Sequence, residues 1–334
     1  MKKWIALILA LVMALGSAGC AGTRTAAVPE PTPEAELTGA AAVGQYYTRK
    51  AETDTEHDYS HMDLTALEGM ASGDTGRAID TPELSVDVAG ALFSANTAEI
   101  ILRVTANTLE SLLYDNGIEP LKNYRFSDET AMLGMVTLKN RFNSISHEYS
   151  YCDSNTALAS NQLELHYWIA TPEPIEPGTF TIPLGDFGYY ADGTAFVPLY
   201  QGPWNVEIGF APSDGDGRQV SVRKKVMAGS CHFAVDEIRV TPLTCSFRLV
   251  CTDSEAYTNS HMDEIVDACY RGMETAAVTL SDGTVLDGAQ LSLGSSGIKA
   301  YPVTLYWSLS FCCPLDPDAV RSLSLFGDTV DFAE

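Results

Sequence analysis

The sequence predicts a mainly β chain built as tandem antiparallel β-sandwiches, and three observations carry that expectation. Apolar and polar residues alternate over many short stretches, the period of a strand with one buried face. Pro- and Gly-containing turns separate those stretches, while sustained helical periods are scarce. Finally, a set of strand and turn features recurs in the same order in the second half of the chain.

The alternation begins at Leu84, Val86 and Val88 and resumes at Ile100, Leu102 and Val104, after the turn-like Ser94-Ala95-Asn96-Thr97. Further strands are predicted at Gln162–Ala170, Phe180–Leu184 and Trp204–Phe210. Between 108 and 160 the pattern is ambiguous, with a helical turn at Leu109–Tyr114 as its one local feature. Asp214-Gly215-Asp216-Gly217 marks a boundary, because Gly and Asp punctuate linkers. It divides a first sandwich, 81–213, from a second, 218–334. In the second, Val220, Val222 and Val226 open a strand set, and Cys245, Phe247, Leu249 and Cys251 alternate with polar neighbours. The clearest strand puts Val303, Leu305, Trp307, Leu309 and Phe311 on one face and Thr304, Tyr306, Ser308 and Ser310 on the other. Gly294-Ser295-Ser296-Gly297 predicts a hairpin or loop turn.

The internal repeat pairs Val86-Asp87 and Leu102-Arg103-Val104 with Val235-Asp236 and Phe247-Arg248-Leu249. It continues with Tyr167-Trp168, Pro174-Ile175-Glu176-Pro177 and Gly185-Asp186 against Tyr306-Trp307, Pro314-Leu315-Asp316-Pro317 and Gly327-Asp328. The ordered set implies a duplicated β-unit, and short strands with Pro/Gly turns imply sandwiches of the immunoglobulin-like kind. The Cys–Trp–Cys framework of antibody domains is absent.

Ahead of the sandwiches the composition changes. Lys2 and Lys3 precede an apolar run from Trp4 to Leu15, too short to span a bilayer, where about 20 residues are needed. Gly16-Ser17-Ala18-Gly19 then lead to Cys20, and the segment 1–19 resembles a bacterial lipoprotein signal peptide, with Ser17 where such signals usually carry leucine. The resemblance implies cleavage before Cys20, lipidation of Cys20, and anchoring to the outer face of the cytoplasmic membrane. Ordinary cleavage near Ala18 would give a secreted product instead. Residues 20–80, rich in Ala, Pro, Glu and Thr at the start and acidic beyond, are expected to form a flexible tether, with a short helix near Leu64–Met70.

Leu84–Val104, Gly202-Pro203-Trp204-Asn205-Val206 and the stretch from Leu315 to Leu323 resemble a Firmicutes family of unknown function. Its members carry extracytoplasmic immunoglobulin-like β-domains, often behind a single membrane helix and sometimes beside anti-sigma-factor modules. This chain departs in having a lipoprotein-type start, which leaves no cytoplasmic part for direct sigma-factor control. The resemblance supplies no catalytic residues.

Charge narrows the partners. With 44 acidic and 20 basic residues the net charge is −24, and phosphate backbones and anionic headgroups are repelled. Nucleic acid is therefore not expected as a partner, and Arg223-Lys224-Lys225 is too short to change that. Of eight cysteines, Cys20 belongs to the signal. Cys152, Cys231, Cys245, Cys251, Cys269, Cys312 and Cys313 form an odd set, and sequence selects no disulfide pairing among them. Small buried hydrophobes are the favoured reading.

Motifs for chemistry are weak. His57, His61 and Asp63 have metal-ligand spacing but sit in the acidic stretch without a cysteine nearby, so no metal site is expected there. Ser60-His61-Met62-Asp63 recurs as Ser260-His261-Met262-Asp263 outside the ordered repeat, a coincidence. Ser221-Val222-Arg223-Lys224 matches Ser-x-x-Lys but falls in a strand pattern without its companion motifs. Asp214 and Asp216 begin like a calcium loop, which Arg218 then breaks. Cys231-His232 and Cys312-Cys313 are adjacent strand residues whose side chains diverge, and both are read as structural. No cofactor motif is present.

The expected function is thus a lipid-anchored envelope protein that binds or holds a partner, either an envelope protein or a wall glycan. Trp204, Tyr189 and Tyr190 are the candidate contact residues, because aromatics near turns stack on sugars or anchor protein contacts. The competing class is a wall-active or metal-dependent hydrolase. Solute capture for a transporter is opposed by the strand-rich pattern.

Overall fold

The computed structural model describes residues 39–113, 124–127, 144–171, 175–191, 195–211, 217–229, 231–253, 259–300 and 303–332. The signal-like stretch, Cys20 and the first part of the expected tether lie outside them, as do Asp214 and Asp216. The fold is mainly β, with antiparallel sheets packed as tandem sandwiches.

In the first sandwich, one sheet runs in the order β1 (Ala71–Ser72), β3 (Leu84–Phe93), β4 (Thr97–Ala106), β7 (Gln162–Ala170), β6 (Ser144–Tyr151), and β2 (Gly76–Asp80) pairs with the other half of β3. Against it lie β5 (Arg125–Phe126), β9 (Phe187–Ala191) and β10 (Ala195–Tyr200), and the pair β8 (Gly178–Leu184) and β11 (Trp204–Phe210). The alternation explains the core. Val86, Ile100, Leu102, Leu163 and Leu165 from one layer meet Phe126, Ile182, Phe187, Val206 and Ile208 from the other.

The second sandwich repeats the plan. Its large sheet runs β12 (Arg218–Val220), β14 (Cys231–Val240), β15 (Thr244–Cys251), β19 (Val303–Phe311), β18 (Leu291–Ala300), and β13 (Lys224–Ala228) shares β14 with β12. The facing sheet is β17 (Val285–Leu286), β16 (Ala277–Leu280), β20 (Val320–Leu325) and β21 (Asp328–Asp331). Asp87 is the cross-strand partner of Arg103, as Asp236 is of Arg248, and a bulge follows the aspartate in both hairpins. The duplication therefore extends to register. The Tyr-Trp pairs are not equivalent positions, however: Arg103 faces Glu164 on β7, whereas Arg248 faces Tyr306 on β19.

Three expectations are corrected. First, the tether does not extend to residue 80. Residues 40–53 form helix α1 (Ala40–Thr53), the short helix expected near Leu64–Met70 is present as a 3-10 turn over Leu64–Gly69, and β1 and β2 complete the first sheet. Ordering this polar segment is offset by burial of Val43, Tyr46, Tyr47, Leu67 and Met70. Second, Gly294-Ser295-Ser296-Gly297 is no turn: it lies within β18, and the backbone keeps its pairing with β19 through a bulge between Leu293 and Ser295. Third, helix is less scarce than expected, since α2 (Asn259–Met273) follows β15. Its buried Ile265, Cys269 and Met273 recur at four-residue steps along one face.

Helix α1 lies on the outer face of the first large sheet, and a missing side chain permits it. A Cβ at Gly90 of β3 would stand 2.9 Å from the Gly39 carbonyl oxygen and 3.0 Å from the Ala42 Cβ. Val43, Tyr46, Tyr47, Leu67 and Met70 join Leu92 and Ile101 of the first sandwich to the core of the second in one apolar cluster. The backbone N–H of Asp63 donates to the Pro314 carbonyl at 2.8 Å, tying the same segment to the second sandwich. The N-terminal segment is thus a wedge between the two sandwiches. Thr304, Ser308 and Ser310, on the polar side of β19, are buried along with the apolar half, and Ser310 lies beside the wedge.

A candidate ligand cleft between the sandwiches

The wedge meets a charged surface. In β4 and β7 the alternation sends Ile100, Leu102, Leu163 and Leu165 into the core, leaving Glu99, Arg103, Glu164, His166 and Trp168 on the outer face. Glu99 is fully buried. Its carboxylate accepts from the Tyr47 hydroxyl at 2.9 Å and is hydrogen-bonded to His166 Nε2. Burial first, and then the Glu99 charge, push the Tyr47 phenol well above its usual range. The Tyr46 ring stacks on His166, with centroids 3.9 Å apart, and its hydroxyl donates to Glu148 Oε2 at 2.9 Å. Lys50 Nζ reaches Glu148 at 2.7 Å, and Arg49 pairs with Glu164. Every polar side chain of this helix face therefore has a sheet partner of matching chemistry.

Beside this lock, a cavity of about 550 Å³ opens between the sandwiches. Tyr46, Lys50, His57 and Tyr59 come from the wedge, Glu148 and Trp168 from the first sheet, and Ser310 and Cys312 from the second sandwich. Asp54, which ends α1, orients the near wall: it accepts from the Tyr59 hydroxyl at 2.9 Å and lies 2.7 Å from His57 Nδ1. The backbone N–H of Glu56 is the main reason its carboxyl falls to about 2, helped by Tyr59 and His57. On the far wall Ser310 is buried, and its Oγ has no hydrogen-bond partner among the described residues. A buried hydroxyl without a partner costs free energy.

Cys312 and Cys313 follow β19 at this wall. The expectation that their side chains diverge is corrected: the pair lies in a bend after the strand, Cys313 buried and Cys312 half-buried toward the cleft, and their sulfurs meet at 4.0 Å. A hydrogen bond with the Cys313 thiol is the first reason that the Cys312 thiol sits below its usual range, and it pushes Cys313 up in turn. Among the described residues, no three His, Cys, Asp or Glu side chains converge as metal ligands.

The residues singled out from sequence fall elsewhere. Trp204 packs edge-on to Phe126, and Tyr189 edge-on to Tyr124, both against the first core. Tyr190 meets Phe196 on the neighbouring strand β10. None of the three lines the cleft. His57 does line it, whereas His61 lies 3.8 Å from Asp282. Cys231 is buried while His232 is exposed beside Asp253, so the two side chains diverge. Sequence reasoning missed Tyr46, Trp168 and Ser310. The Val43, Tyr46, Tyr47 spacing was a usable helix signal, but nothing local announces that the polar faces of two sheets would be brought together.

No family model matches the chain, and no curated protein does either. Among solved structures, the crystal structure of the conserved domain protein from Bacillus anthracis is similar, with a TM-score of 0.43 at 11% identity, over 76% of this chain and 75% of that chain.

Proposed function

We propose that the protein is a lipid-anchored envelope binding module whose inter-sandwich cleft takes a hydroxyl-rich ligand of the wall-glycan kind. The observation that carries the reading is the cleft's lining: aromatic Tyr46, Tyr59 and Trp168 together with Lys50, His57, Glu148 and Ser310. Aromatic faces suit the apolar faces of sugar rings, and fixed hydroxyl, carboxylate and imidazole groups suit their hydroxyls. The lipoprotein-like start and Cys20 support placement outside the cytoplasmic membrane. The hydrolase reading stays second on one observation, the His57 imidazole held by Asp54 at the cleft wall, which is how a general base is oriented.

A thermal-shift screen of the protein against wall glycan fragments and short peptides tests this. A glycan at a hundred times its dissociation constant is expected to add about 2.7 kcal/mol, and Trp168→Ala is expected to abolish that gain. No glycan shift, or a shift that Trp168→Ala leaves intact, contradicts the reading. Consumption of the glycan favours the hydrolase.

A further inference from the structure

Cys312 lines the cleft with Cys313 behind it, and the geometry of the pair discriminates among the uses of two thiols. The Sγ atoms are 4.0 Å apart. A disulfide needs them at about 2.05 Å and prefers Cα atoms ~4.4–6.8 Å apart, whereas neighbouring Cα atoms across a trans peptide are about 3.8 Å apart. Closing that bond requires the backbone to move. A shared metal ion does not, because two metal–sulfur bonds of ~2.3 Å reach across as much as about 4.6 Å.

The surroundings agree. Cys313 is 1% exposed, and its buried sulfur meets the Cys312 sulfur, which opens toward the cleft. Gln290 Oε1 lies 3.1 Å from the Cys312 Sγ and the Asp58 carbonyl oxygen 3.8 Å, so neutral oxygen donors stand beside the pair. With no third His, Cys, Asp or Glu converging among the described residues, a four-ligand tetrahedral ion is disfavoured. A soft ion content with two thiolates is favoured. The net charge of −24 raises the local concentration of any cation.

We propose that Cys312 and Cys313 form a dithiolate site for one thiophilic d10 cation, Cu(I) being the best fit, at the wall of the cleft. The site does not depend on which ligand the cleft takes. Binding displaces the thiol protons to solvent and changes no oxidation state.

The test is an anaerobic titration of the reduced full chain with Cu(I) against a chromophoric Cu(I) chelator. The parent is expected to withhold one more equivalent than Cys312→Ser, whose affinity falls at least tenfold, while Cys152→Ser behaves as the parent. Equal retention by Cys312→Ser, or none by the parent, overturns the proposal. Metal-free thermal midpoints establish that each variant folds. X-ray absorption of the loaded parent supplies a second readout should Cys312→Ser misfold. Two sulfur scatterers are expected; a shell without sulfur, or with three or more, overturns the site.

Discussion

A fragment starting at residue 81 is expected not to fold cooperatively, although the period-two pattern alone places the first sandwich there. The cut removes α1, the 3-10 turn, β1 and β2. Val43 and Leu67, both fully buried, go with it, as do Tyr47, Met70 and Ile79, each no more than 8% exposed. Losing a buried side chain of this size costs about 2–5 kcal/mol. Five such losses amount to about 10–25 kcal/mol, as much as or more than the ~5–15 kcal/mol by which whole domains are stable. The cut also bares β3 as an unpaired edge, a template for aggregation, and exposes the Glu99–His166 face. Urea unfolding followed by tryptophan fluorescence, compared with a chain starting at residue 37, checks this. The shorter fragment should lack a sigmoidal transition or aggregate. Equal midpoints would show that the N-terminal segment is dispensable.

The second large effect is expected at a single carboxylate. Glu99→Ala leaves the Tyr47 hydroxyl and His166 Nε2 without their buried acceptor, and removing one member of a buried polar pair costs about 3–5 kcal/mol. Tyr47→Phe removes one donor and keeps the ring packing, so a smaller loss of about 1–3 kcal/mol is expected. Because the two residues share one hydrogen bond, the double variant should cost less than the two single losses combined. Additive losses would mean that the helix and the sheet are not coupled through this bond.

Much of the fold was legible because a half-buried strand writes its face into the sequence. Gln162–Ala170 and Trp204–Phe210 are strands at the predicted bounds, and the Asp87 and Asp236 hairpins match in register as their sequences do. The cleft was not legible for the same reason. Glu99, Glu164, His166, Ser308 and Ser310 are the polar half of their strands, and alternation assigns that half to solvent. What buries them is α1 and the other sandwich, and such tertiary cover leaves no period behind. The wedge itself was hidden by composition. Its buried residues are spread among Ala, Gly, Glu and Asp, so the average texture matches a solvated linker although Val43, Tyr46 and Tyr47 share one helix face. Trp204, Tyr189 and Tyr190 drew attention as aromatics near turns, yet their rings have aromatic neighbours within the first sandwich.

Hydrogen exchange on the full chain, read by mass spectrometry over residues 44–53, tests the wedge most directly. Those amides are bonded within α1, which is clamped to the sheet through Tyr46, Tyr47, Arg49 and Lys50. Protection approaching that of β4 and β7 is predicted, because opening the helix would break the cluster shared by both sandwiches. Exchange at the rate of an unstructured peptide would contradict the account and return this segment to a tether.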